Sequence, residues 1–361
     1  MGRVVKTTRL FIFLFREILL VQRLLQPGEI EALDHNAIPR LLLPQPATLF
    51  SARAKRLRQL AAGEVPGIPV EDALRGYLSL MAHVADAQHA AVAALGREGV
   101  ALPDDASLKL AHDHNMPPLP ATGARPAAWR TVFARLVDAL AAAGNAPPQL
   151  AAAVATLRTM PEAELEGIAD AILGNFDEGA DPLRAPFVAA ALQASWSLMA
   201  AQLDAAWAQP LMTGTLCPVC GSHPVASVVR IGGQSQGYRY LHCSVCESEW
   251  HMVRVKCSCC EANGKIAYQG LVGQDADPVG ENIAAAKEGR TVHKANDPDK
   301  VARAETCDDC GTYRKIFNQE HDYDVDPLAD DLGSMLLDVL VSEAGYARAS
   351  GNPLLWLKEN A

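Results

Sequence analysis

Long apolar runs are missing from this 361-residue chain. Near its start the stretch Leu10 to Phe15 stops after six residues at Arg16 and Glu17. A membrane-crossing helix needs about 20 apolar residues, and a secretory leader needs a longer apolar core with a small-residue cleavage site. Neither stable membrane insertion nor export is expected. Positive charge is also short: 32 Lys and Arg against 42 Asp and Glu give a formal net charge of −10. Neutralising a phosphate backbone takes clustered Lys and Arg, so no nucleic-acid partner is expected. Cysteine is absent from the first 216 residues, and all nine cysteines fall between positions 217 and 310. An odd number crowded into one region is not how disulfides staple a secreted fold; it points to metal binding in a reducing compartment, hence a cytoplasmic location. There is no phosphate-cradling glycine loop, no nucleophile elbow and no His-Glu-x-x-His helix. The sequence therefore nominates no catalytic residue and reads as a non-enzyme.

Hydrophobic residues make up 49% of the chain, enough for a buried core, and its length suggests about two domains. Residues 1–37 read as an N-terminal extension, either a short amphipathic helix or residues added by an upstream start codon. Residues 38–212 read as a helical domain. After Pro39, Pro44 and Pro46, one face gathers Phe50, Ala54, Leu57 and Ala61, with Arg53 and Arg56 mostly elsewhere. A long helix is expected over 70–95, a loop rich in Pro, Gly and Asp over 97–125, and further helices over 127–143, 148–159, 162–174 and 186–208. The last carries the stripe Leu192, Trp196, Met199, Leu203 and Trp207, a pattern that belongs to a helix-bundle core.

The character changes near Thr213. Segments 226–231, 238–242, 249–256, 264–272 and 312–318 are short and rich in β-formers. Over 249–256 the alternation puts Trp250, Met252, Arg254 and Lys256 on one face. Residues 213–325 are read as a metal-binding region with a polar insertion at 273–305, holding one short helix around Ala284. Asp326-Pro327 opens a C-terminal helix and tail, 326–361, whose apolar face would be Leu328, Leu332, Met335, Leu336, Val339 and Leu340. The expected class is α+β: an N-terminal all-helical domain, then two rubredoxin/zinc-ribbon-like four-cysteine modules of short antiparallel strands, then a C-terminal helix.

Four Cys-x-x-Cys pairs carry the chemistry: 217/220, 243/246, 257/260 and 307/310. Two intervening residues let both thiolates reach one metal from a tight knuckle whose backbone N–H groups bond the sulfurs. Two knuckles are followed by Gly221 and Gly311, where positive φ is expected. The other two read Cys-Ser-x-Cys-Glu. Joining one of each kind in chain order gives Cys217, Cys220, Cys243 and Cys246 for one site, and Cys257, Cys260, Cys307 and Cys310 for the other. An interleaved pairing of 217/220 with 257/260 stays open. Tetrahedral thiolate suits iron and zinc alike. Cys259 reads as a spare thiol beside the second site, and His242 and His251 as strand-face residues.

The runs Cys217-Pro-Val-Cys-Gly-Ser, Arg239-Tyr-Leu-His-Cys, Cys246-Glu-Ser-Glu-Trp-His, Val253-Arg-Val-Lys-Cys and Cys307-Asp-Asp-Cys-Gly-Thr-Tyr resemble the formate dehydrogenase accessory protein family (FdhE). So do Asp330-Asp-Leu, Gly345-Tyr-Ala-Arg and Asn352-Pro-Leu-Leu, and more weakly Arg53-Ala-x-Arg-Leu with Leu60-Ala. The resemblance runs from about residue 38 to the end, and all eight paired cysteines match the family's motif. Residues 1–37 and the length of the 273–305 insertion depart from it. The resemblance implies a cytoplasmic maturation factor, required for active formate dehydrogenase, that contacts the immature catalytic subunit. It also implies two bound metal ions, rubredoxin-type iron favoured over zinc. The acidic helix at Asp330 and Asp331, or an apolar groove between domains, would be the contact. Two other readings stand beside it: a rubredoxin-like redox carrier, and a zinc-ribbon nucleic-acid binder using Arg230, Arg239, Arg254 and Lys256.

Overall fold

A computed structural model describes residues 38–144, 148–174, 181–271 and 297–355. The N-terminal extension, the helix expected around Ala284 and the tail beyond 355 lie outside the described residues.

Helix α1 (Pro46–Ala62) starts with proline in its first turn, where the missing N–H is no loss. It ends at Gly63, whose left-handed backbone (φ 73°) returns N–H bonds to Gln59 and Leu60. Helix α2 (Asp72–Leu95) runs beside it. Then follow α3 (Asp105–Asp113), α4 (Trp129–Ala142), α5 (Pro148–Arg158), α6 (Glu162–Leu173) and α7 (Ala185–Ala200). Every residue of α7 is buried, and α2, α4 and α6 pack around it. A helix that is apolar on all sides belongs at the centre of a bundle.

Three expectations for this half need correction. The helix expected over 186–208 ends at Ala200, and Trp207 lies in a separate short turn of 3-10 helix, Ala205–Trp207. The loop read over 97–125 contains α3. Its cap is clear, with the Asp104 carboxylate accepting from the Ser107 N–H at 2.8 Å. But Leu108 is its one buried residue, so no apolar stripe announced it. On α1 the buried face is Phe50, Ala54, Leu57 and Leu60 instead of Ala61, and Arg53 and Arg56 are buried with it.

The strands are β1 (Leu41–Leu42), β2 (Pro224–Val229), β3 (Arg239–Cys243), β4 (Glu249–His251), β5 (Ile266–Gly270), β6 (Ala302–Cys307), β7 (Thr312–Asn318) and β8 (Ala347–Arg348). They form one sheet in the order β1-β4-β3-β2-β7-β6-β5, with β8 also on β7. Pairing is antiparallel within each cysteine module, and a parallel seam joins them: Ser227, Val228 and Val229 of β2 face Ile316, Phe317 and Asn318 of β7. Strand β6 lies where the insertion was expected to continue to residue 305. Its Arg303 and Glu305 interrupt the apolar alternation, yet Glu305 is buried against the Arg239 guanidinium at 3.3 Å. The alternation read over 249–256 holds only as far as Met252, because β4 ends at His251 and Arg254 is exposed.

The expected C-terminal helix is two, α8 (Pro327–Gly333) and α9 (Met335–Glu343), broken at Ser334 (φ −101°, ψ 34°). The break rotates the apolar face: Leu337 and Val341 are buried, while Val339 and Leu340 are 53% and 45% exposed. A Cβ on Gly333 would sit 2.7 Å from Leu60 Cδ2, so a larger residue there would force the Leu60 side chain to shift where α8 packs on α1.

Two candidate metal centres

Each Cys-x-x-Cys knuckle turns on the residue after its second cysteine. Gly221 (φ 78°) and Gly311 (φ 66°) adopt the left-handed backbone, and so do Glu247 (φ 62°) and Glu261 (φ 61°). That conformation costs a side-chain-bearing residue roughly 1–2 kcal/mol. Both glutamates compensate with ion pairs, Glu247 with Arg53 and Glu261 with Lys256. Backbone N–H groups within the knuckles point at sulfur. Val245 and Cys246 donate to Cys243 Sγ at 3.4 Å, and Cys259 donates to Cys257 Sγ at 3.3 Å.

The sulfurs gather in chain order and not in the interleaved way. Cys217, Cys220, Cys243 and Cys246 form one group and Cys257, Cys260, Cys307 and Cys310 the other, with the ligand atoms of each group all within 4.8 Å of one another. In the first group Cys217–Cys246 and Cys220–Cys243 are 3.5 and 3.4 Å apart; in the second, Cys257–Cys310 and Cys260–Cys307 are 3.8 and 3.9 Å apart. A disulfide needs about 2.05 Å. Four thiolates at about 2.3 Å from one tetrahedral ion stand roughly 3.8 Å apart, so each group fits one metal ion. Thiolate tetrahedra accept iron and zinc equally.

The two groups differ in depth. All four cysteines of the first are buried, and burial pushes the Cys217 and Cys243 thiols well above their ordinary pKa. A cation is what makes such sulfurs tolerable as thiolates. The helical domain grips this group directly. Leu119 and Ala121 donate to the Val219 and Cys220 carbonyls at 2.9 Å, the Trp196 indole fixes Leu119, and the Gln193 amide donates to the Ser244 carbonyl. In the second group Cys257 and Cys307 are buried, Cys310 is half-buried and Cys260 is exposed. Cys259 is exposed and stands outside the set.

Sequence reasoning missed the polar network behind the first group. The Arg53 guanidinium, fully buried, donates to both Glu247 oxygens at 2.9 and 2.7 Å and to Asp326 at 3.1 Å. Asp326 also caps α8 through the Leu328 and Ala329 N–H groups. His242 is no plain strand-face residue: it lies between Glu247 and Glu249 at 2.8 and 2.7 Å. Burial opposes its charge, but the two carboxylates push its pKa up to about 9. Glu249 pairs in turn with Arg230. The run Arg53-Ala-x-Arg-Leu was the available signal, yet one helix cannot show which acids, some 200–270 residues away in sequence, will meet its arginines. His251 is half-buried, its ring edge-on to Tyr238 and Tyr240.

The basic strand residues are engaged. Arg230 pairs with Glu249, Arg239 is buried on Glu305, Lys256 pairs with Glu261, and Arg254 donates to the Gly237 carbonyl. Asp330 and Asp331, expected as an exposed contact, are 0% and 1% exposed; they hold Arg56, and Lys315 with Arg348. No helix among the described residues is long and apolar enough to cross a membrane.

Family models cover almost all of this architecture: "FdhE, N-terminal" matches residues 38–213, "FdhE, central domain" 216–254 and "FdhE, C-terminal domain" 255–355. A protein named "Protein FdhE homolog" from Edwardsiella ictaluri is 40% identical over 321 residues, 88% of this chain and 92% of its own. "Protein FdhE" from Shigella boydii is 36% identical over 331 residues, 91% of this chain and 95% of its own. The crystal structure of the FdhE protein from Pseudomonas aeruginosa superposes with a TM-score of 0.70 at 34% identity, covering 88% of this chain and 99% of that one.

Proposed function

The chain belongs to the FdhE family, and from that premise we propose that it is an accessory factor required to form active formate dehydrogenase. In this reading it is not an enzyme: it binds the immature catalytic subunit in the cytoplasm. The observation that carries the proposal is family membership over both halves, with the helical domain and both four-cysteine groups present in one fold.

In the same reading all eight cysteines are metal ligands, one ion per group, with rubredoxin-type iron favoured over zinc. The metal supplies a cross-link that thiols alone cannot, and the chain's own part is to desolvate and orient the sulfurs. The domain scheme follows the chemistry, with 38–212 as a helical body, 213–325 as the metal region and 326–361 as the closing segment.

Deleting the gene is expected to abolish formate oxidation, and the chain supplied in trans to restore it. Co-purification with the catalytic subunit from cells blocked in its maturation tests the partner. Normal formate oxidation in the deletion strain would remove the proposal. One observation favours a second reading, a redox carrier: Cys260 is exposed, so the second group is open to an electron partner. Protein purified without oxygen that is colourless and carries two zinc ions would end that reading and leave the first standing.

A further inference from the structure

A buried guanidinium beside the second cysteine group has no carboxylate of its own. Arg314, on β7, is only 4% exposed. Its Nε donates to Ser258 Oγ at 3.0 Å, and its Nη1 donates to Ser350 Oγ at 2.5 Å and to the Pro224 carbonyl. All three acceptors are neutral. Among the described residues no carboxylate lies within ion-pair distance of it. Glu305, opposite it in the β6–β7 register, is taken up by Ser227 and Arg239.

An uncompensated buried charge costs several kcal/mol, so its surroundings must supply the opposite sign. Arg314 lines a small cavity together with Cys257, Cys307, Arg239, Lys256 and Glu305. Arg239 pairs with Glu305, and Lys256 pairs with Glu261. One positive charge is left over, against a sulfur set that carries two net negative charges once four thiolates hold a divalent ion. The first group has no such surplus: Glu247, Glu249 and Asp326 are met by Arg53, Arg230 and the His242 ring.

We propose that Arg314 is the counter-charge of the second cysteine group and sets how tightly that group holds its metal. Ser258 is the residue after Cys257, so the Arg314–Ser258 bond also fixes the guanidinium to the knuckle. The inference rests on reading Cys257, Cys260, Cys307 and Cys310 as a metal site. Arg314 is a positioning residue and no ligand. Cys259, exposed on the same knuckle, is the rival source of negative charge.

The experiment is graded chelation of the zinc-loaded full chain, counting zinc released. Replacing Cys257 and Cys260 by serine assigns the release step of the second group. Arg314→Gln is expected to move that step to roughly 10–100-fold lower chelator, the range for losing a partner outside the ligand shell, and to leave the first group's step in place. Arg314→Lys is expected to recover most of the loss, and Cys259→Ser to behave as the parent. A parent-like step in Arg314→Gln overturns the inference. So does an Arg314→Lys step as weak as that of Arg314→Gln, which would mean packing and not charge. So does a Cys259→Ser step that moves as far. A Cys257/Cys260 serine variant that keeps both zinc ions refutes the metal reading of this group, and the inference falls with it.

Discussion

Replacing Cys217 and Cys220 by serine is expected to unfold most of the chain, whereas replacing Cys257 and Cys260 should cost one metal ion and little else. The asymmetry follows from where the sulfurs sit. The first group is buried among α7, the 116–121 segment and the sheet, which hold its knuckles by backbone and amide hydrogen bonds. A structural thiolate site contributes about 10–16 kcal/mol of binding free energy, as much as the whole stability of a typical domain, about 5–15 kcal/mol. Without it, buried polar sulfurs and their knuckles would be left without compensation in the core. The second group faces solvent through Cys260 and Cys310 and borders β5, whose residues are mostly exposed. Metal content and thermal unfolding by circular dichroism, measured on both double variants, make the comparison. Equal melting temperatures for the two would show that the first metal does not hold the helical body.

Arg53→Ala is expected to lower stability by about 3–5 kcal/mol, the usual result of breaking a buried ion pair from one side. The guanidinium bridges Glu247 at the second knuckle and Asp326 at the start of α8, and its removal leaves the buried Glu247 charge with His242 as its remaining partner. Burial alone would lower the Arg53 pKa, yet Asp326 and Glu247 hold it above its ordinary value, so the guanidinium stays charged. Urea denaturation followed by tryptophan fluorescence reads the loss. A midpoint unchanged within error would mean that water enters and solvates the two acids. Because α1, the first metal group and α8 all meet at this side chain, the variant should also release the first ion more readily.

The parts of this molecule that were legible in the sequence are those written in local spacing. Four Cys-x-x-Cys pairs and their Gly or Glu followers mark the knuckles, and helical periodicity finds α2, α4, α5 and α6 to within a few residues and the start of α7, which ends at Ala200 and not at 208. What escaped was decided by distant partners. Strand β6 carries Arg303 and Glu305, which look like solvated loop residues until Arg239, reaching over from β3, is seen paired with Glu305. Arg53 and Arg56 look like the wet side of α1 until Glu247, Asp322, Asp326 and Asp330 close over them. The break at Ser334 left no proline behind to mark it; its hydroxyl bonds the Asp330 carbonyl at 2.7 Å and closes the preceding turn. A charged residue is read as exposed by default, and here the default fails wherever an acid arrives from elsewhere in the chain.

The seam between β2 and β7 dictates an order of events during synthesis. Residues 227–229 cannot find their neighbours until residues 316–318 have left the ribosome. Contacts that span so much chain form late and slowly. Until then one edge of the earlier hairpin stays bare, open to pairing with a stranger. A protein built this way needs its own C-terminal third before the middle third is safe, so premature termination beyond the first knuckles should yield aggregate and not a smaller working unit.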